Sequence, residues 1–225
     1  MDFCDFNRAG LKALDKRHYE RAVTLFRHGI NKLNQEREYI PKPQRNRRFF
    51  YHAVPLHLGL NDHSSFIETT SSQNGHFFLF DTAFLIEFDG IWQSYSFAIT
   101  TLLYNISLTL HLQGLEQNQH VKLDQARQIY LKALKFFTST GKATLAATRG
   151  GDRRVLFLAL SNNYGHVCAL LCDRRGTEKA HEIIRALITD PYTGQILDPS
   201  DVSFFRATCL LGKLEELAPP PAPSA

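Results

Sequence analysis

The chain has little of what secreted, membrane-spanning or metal-stapled proteins depend on. Its four cysteines, Cys4, Cys168, Cys172 and Cys209, are too few and too scattered to cross-link 225 residues. No apolar run approaches the ~18 residues that cross a bilayer. The first turns carry Asp2, Asp5, Arg8, Lys12, Asp15, Lys16, Arg17 and Glu20, where a signal peptide would hold an apolar core. These absences predict an intracellular protein, cytoplasmic or nuclear, with no membrane insertion.

Catalytic signatures are missing too. Ser64–Ser65 and Ser71–Ser72 are not framed as a nucleophile elbow, and RGGDRR lacks the spacing of a phosphate-binding glycine loop. Cys168 and Cys172 lie one helical turn apart with His166 nearby, but no second ligand pair completes a zinc set, and buried thiols behave as small hydrophobes. His52, His57, His63 and His76 share one segment without an obvious carboxylate to orient them. No catalytic residue, metal or cofactor is therefore expected, and the chain reads as a non-enzyme.

What is present is a large apolar fraction, 44%, with 17 phenylalanines against one tryptophan and one methionine. That is enough for a sizeable core, with many rings to pack between helices. The formal charge of +4 is uneven: residues 1–48 hold twelve Lys and Arg against six acids. An acidic partner would favour that end, although a solvated helix face gives the same balance.

Periodicity predicts helix pairs at about 5–38, 91–138 and 153–190, then a terminal helix at 199–217 acting as a lid. Asp5 or Asn7 is expected to cap the first helix, Asp124 to begin the fourth and Thr177 to cap the sixth. Tyr19, Ala22, Phe26 and Gly29 in one second helix are matched by Ala126, Tyr130 and Ala133 in another at the same spacing. A small residue lets a neighbouring helix approach while a ring fills the next layer, and Gly10 has this task in the first helix. Residues 40–90 interrupt the array as an irregular insertion modifying one edge. Within it, HFFLF and FLIEF, followed by the Asp89–Gly90 turn signal, suit two brief strands, either a small hairpin or an extended segment covering the helices. The Pro/Ala tail, 218–225, should be loose.

Phe6, Ala9, Gly10, Tyr19, Ala22, Phe26 and Gly29 resemble the tetratricopeptide repeat (TPR) pattern, followed by Ala126, Tyr130, Ala133 and Leu134, and by Gly165 and Ala180. The intervals exceed the family's repeat length, so the array is similar to divergent, interrupted ones such as those of lineage-specific microalgal proteins. The resemblance implies a mainly α, short TPR-like α-solenoid forming a single domain over 1–217, and a scaffold that binds a protein or peptide. Some members of that family clamp a carboxylate with Lys and Asn four residues apart; Asn7 and Leu11 do not form that clamp. Asn105, Asn162 and Asn163 are the groove candidates, since an amide bonds a peptide backbone without choosing its sequence; it can equally bridge neighbouring helices. The alternative function is nucleic-acid binding through Arg45, Arg47 and Arg48, which precede Phe49, Phe50 and Tyr51. Arg153 and Arg154 form a second basic cluster.

Overall fold

The computed structural model describes residues 1–39, 49–56, 77–88, 95–140 and 151–216. Three antiparallel helix pairs follow one another: α1 (Phe3–Asp15) with α2 (Tyr19–Tyr39), α3 (Tyr95–Glu116) with α4 (His120–Thr140), and α5 (Gly151–Leu170) with α6 (Arg174–Ile188). The one-turn α7 (Thr193–Ile196) and the terminal α8 (Pro199–Glu216) complete the helices. The second helix of each pair packs on the first helix of the next, so the pairs stack in chain order as a short TPR-like α-solenoid. This is the mainly α class expected.

All three pairs turn by one device. Arg17, Asn118 and Cys172 adopt the left-handed conformation, with φ of 58°, 50° and 56°. Around the first, the Arg17 N–H donates to the Leu14 carbonyl and the His18 N–H to that of Ala13; the same two bonds recur at Asn118–Gln119 and at Cys172–Asp173. This is the Schellman closure, which satisfies the last carbonyls of the helix. Glycine is the usual residue there, and its absence hid the recurrence from a reading of sequence alone.

Helix starts differ from expectation for a related reason. Asp2 caps α1, its carboxylate accepting the Asp5 N–H at 2.8 Å while the Asp5 carboxylate accepts the Asp2 N–H at 3.0 Å. Two acids three apart thus build a reciprocal capping box one turn before the expected site, and Asn7 lies buried in mid-helix. Asp173, not Thr177, caps α6 by accepting the Gly176 N–H at 3.0 Å. Likewise α4 begins at His120, a turn before Asp124.

The small and aromatic residues fill the predicted role. A Cβ on Gly10 would lie 2.4 Å from the Phe26 ring, so α1 and α2 approach where only hydrogen leaves room. Tyr19, Ala22, Phe26, Ala126, Tyr130, Ala133 and Ala180 are all buried on second helices, and Gly165 is buried on a first helix. The register is not uniform, however. Ala126 and Ala180 follow their left-handed turns by about two helical turns, Ala22 by only about one. Units two and three are the better-matched pair. Between units, a Cβ on Gly29 of α2 would lie 3.4 Å from the Leu102 side chain of α3 and from Phe6, so the glycine sits at the first seam. Helix α3, flanked on every side, buries nearly every residue from Phe97 to Gly114.

HFFLF and FLIEF do not form a hairpin with each other; the alternative, an extended segment over the helices, holds. FLIEF falls within β2 (Thr82–Phe88), but its antiparallel partner is β1 (Phe49–Pro55), the stretch read from sequence as a basic–aromatic loop. Phe49 stands opposite Phe88 and Pro55 opposite Thr82. Residues 77–80 of HFFLF and the following Asp81 have no strand partner among the described residues, and helix side chains take backbone bonds of Phe78 and Phe80. Asp89–Gly90 lies outside the described residues.

If close approach sets the helix spacing, Gly10→Ala and Ala22→Leu should each destabilise by about 1–3 kcal/mol, despite the better helix propensity of alanine over glycine. Urea unfolding measures this, with the exposed Val121→Ala as control, expected within about 0.5 kcal/mol of the parent.

Candidate functional site

The first helices, α1, α3 and α5, each present an asparagine to one extended segment, residues 78–86. On α5, Asn162 Nδ2 donates to the Phe78 carbonyl at 2.8 Å. Asn163 accepts the Phe80 N–H at 2.9 Å and donates to the Phe80 carbonyl at 2.8 Å. On α3, Asn105 accepts the Phe84 N–H at 3.1 Å and donates to the same residue's carbonyl at 2.8 Å. On α1, Asn7 accepts the Ile86 N–H at 2.9 Å, its Nδ2 lying 3.4 Å from the Phe84 carbonyl. Tyr104 fills the gap, its hydroxyl donating to the Thr82 carbonyl at 2.8 Å.

The pattern has a period of two. Backbone groups of residues 78, 80, 82, 84 and 86 turn toward the helices, and in an extended chain the intervening residues turn the other way, where Ala83, Leu85 and Glu87 lie opposite β1. A primary amide places one donor beside one acceptor, the arrangement a neighbouring strand would offer. Asn105 and Asn163 thereby stand in for a sheet partner. All four asparagines are buried, so each bond replaces water that cannot reach the strand.

Asn105, Asn162 and Asn163 bond the backbone of the chain's own residues 78, 80 and 84. Asn162 also accepts the Thr208 hydroxyl of α8 at 3.1 Å, bridging helices as the other reading allowed. Asn7 was passed over because Leu11 offers no basic partner. The signal for it was positional: Asn7 and Asn162 stand equally far before the turn residues Arg17 and Cys172. Of the two expectations for the insertion, an edge and a segment covering the helices, the second describes its 77–88 stretch, which runs along the first helices and buries Phe77, Phe80, Ala83, Phe84 and Ile86.

Other sequence candidates take different places. Arg45, Arg47 and Arg48 lie outside the described residues, as do His57, His63 and His76. Arg154 is 1% exposed, with its guanidinium 2.8 Å from the Asp190 carboxylate, and it anchors the α6–α7 corner. Arg153 sits 5.5 Å over the Phe97 ring. Cys168 lies near the Asp173 carboxylate, and burial pushes its thiol up to about 12; Cys172 is exposed at the turn. Among the described residues no group of three or more His, Cys, Asp or Glu is arranged to hold a metal, and no helix is long and apolar enough to cross a membrane.

Sequence reasoning also missed a buried histidine pair behind the strand. His166 Nδ1 on α5 lies 3.0 Å from His111 Nε2 on α3, and the His111 ring meets Tyr130 edge-on. His111 Nδ1 has no hydrogen-bond partner among the described residues. A bare acceptor is tolerated better than a stranded N–H, which favours His111 as the donor of the pair. Burial holds His166 down to about 4 and His111 well below its usual value, the neighbouring imidazole adding to the latter.

No protein-family model matches the chain, and neither the curated proteins nor the solved structures searched include a match. The TPR-like assignment rests on architecture alone.

The histidine pair makes a pH prediction. Both rings are neutral when folded but titrate near 6.5 when unfolded, so the unfolded chain takes up protons first as pH falls. Stability should be level between about pH 7 and 8 and decline from about 6.5 toward 4, before carboxylates such as Asp173, held low by the Gly176 N–H, contribute below that range. Above about pH 8 the buried thiols Cys4 and Cys168, pushed up to about 12, lower it again. Melting curves across pH measure the decline, and His166→Gln should make it shallower.

Proposed function

We propose that the protein is a non-enzymatic scaffold whose first-helix groove binds an extended peptide segment of a partner protein, and that residues 77–88 occupy this groove in the resting form. The observation that carries the reading is the amide ladder of Asn7, Asn105 and Asn163, which holds a backbone through backbone groups alone. Such contacts do not depend on the side chains of the held segment, so another extended chain satisfies them equally. The helix pairs close on one another through their own seams, α2 on α3 and α4 on α5, without the strand. Exchange of the strand for a partner therefore leaves the stacking in place.

Release of residues 77–88 has a cost, because it uncovers buried rings and asparagines. The partner's segment restores both, so the affinity reports a difference between two occupants and not the full value of the contacts.

Hydrogen exchange tests this without a known partner. If the strand lifts from a folded body, the amide protons of Phe80, Phe84 and Ile86 exchange through a local opening, faster than those of the α3 and α5 interiors. If they exchange only at the rate of global unfolding, the strand is a fixed part of the core and the groove is closed to partners.

A further inference from the structure

The groove holds more than a backbone, and its side-chain sockets define what fits. The first is a slot on α5 and α6. Gly165 lacks the Cβ that would lie 2.3 Å from the Phe77 ring and 2.8 Å from the Ala180 side chain, and the His181 ring stacks on Phe77 at 4.3 Å and an interplanar angle of 15°. The slot is one flat ring thick. The second socket is closed by α8: Phe204 and Phe205 each stand 5.2 Å from the Phe80 ring. That helix is fastened to the ladder through Thr208 and Asn162, the same amide that holds the Phe78 carbonyl. The third is Tyr104, whose ring meets Phe84 edge-on at 5.0 Å while its hydroxyl bonds the Thr82 carbonyl. Ile86, fully buried beside the Asn7 contact, fills the fourth.

Between the sockets the demands are lower. Asp81, Thr82, Leu85 and Glu87 are only half-buried, and Glu87 faces Arg8 at 3.6 Å with both side chains well exposed. Exposed pairs of this kind contribute little. Ala83 is fully buried and leaves room only for a small side chain, so sequence information is concentrated at the positions of 77, 80, 83, 84 and 86.

We infer that the partner segment is an extended peptide with aromatic rings spaced as Phe77, Phe80 and Phe84 and an aliphatic residue placed as Ile86, uncharged at all four positions. This rests on the groove being exchangeable, as proposed above, and adds which peptide it takes. Charged residues are disfavoured because the rings and aliphatic groups that line these sockets do not offset their desolvation. The ladder holds any backbone, and the sockets select among them.

The test uses the full chain carrying Phe80→Ala and Phe84→Ala, which loosens its own strand, and a fluorescent peptide of residues 77–88 with a lysine tail for solubility. Anisotropy should show binding to the double variant that is tighter than to the parent chain. Replacing each ring of the peptide by serine should weaken binding about tenfold or more. A peptide of identical composition with the rings moved by one position should fail to compete. If the shifted peptide binds equally well, the ladder accepts any backbone, so the socket assignment falls while the scaffold reading stands. If neither chain binds any peptide while circular dichroism shows both folded, the exchangeable groove falls as well. A dimer formed through the loosened strand, excluding the peptide, would make a second copy the occupant and overturn the assignment. Phe77→Ala, which empties only the terminal slot, serves if the double variant does not fold.

Discussion

A strand laid against helices has nowhere obvious to send half of its backbone hydrogen bonds. Water cannot reach it, and a helix satisfies its own peptide groups internally. This chain meets the constraint with side chains. Asparagines on three successive first helices offer the donor–acceptor pairs that another strand would have offered. The position of β2 and the sockets around its rings depend on that substitution, while the helix pairs stack through their own seams. A strand edge left bare here would leave several buried polar groups unbonded, each worth about 1–3 kcal/mol.

The same device makes the interior of α3 unusual. It carries Asn105, His111 and Tyr104 among leucines and isoleucines, all of them buried. Each polar group has a partner on another element: Asn105 on the strand, Tyr104 at Thr82, His111 at His166. The polar interior ties α3 to β2 and α5, so the central helix fixes both the groove and the second seam. Salt links at the outer ends reinforce this arrangement, as where Lys122 of α4 meets Glu20 of α2 at 2.6 Å. They are exposed enough to set register more than stability.

How far the sequence revealed this follows from the range of each interaction. Helix pairs are local: Ala22, Phe26, Ala126 and Tyr130 repeat at helical spacing, and that spacing was readable directly. An amide facing inward from a helix is anomalous, so Asn105, Asn162 and Asn163 could be singled out by type and place. Their partner could not be read, because Phe80 lies 83 residues from Asn163 and no local pattern joins them. The strand pairing was misread for the same reason: Phe49 meets Phe88 across the whole intervening segment, with no turn motif joining them directly. Arg17 and Cys172 concealed the common turn because neither residue type announces a left-handed backbone.

The claim on which everything rests is that the Asn105 amide and the Phe84 backbone hold each other. The most direct measurement is a double-mutant cycle between Asn105→Ala and an amide-to-ester replacement that removes the Phe84 N–H, read by urea unfolding. The account predicts that the two losses overlap, with a coupling energy of about 0.5–3 kcal/mol. Losses that add to within about 0.3–0.5 kcal/mol would mean that the two groups act independently, and the ladder would not be what holds the strand.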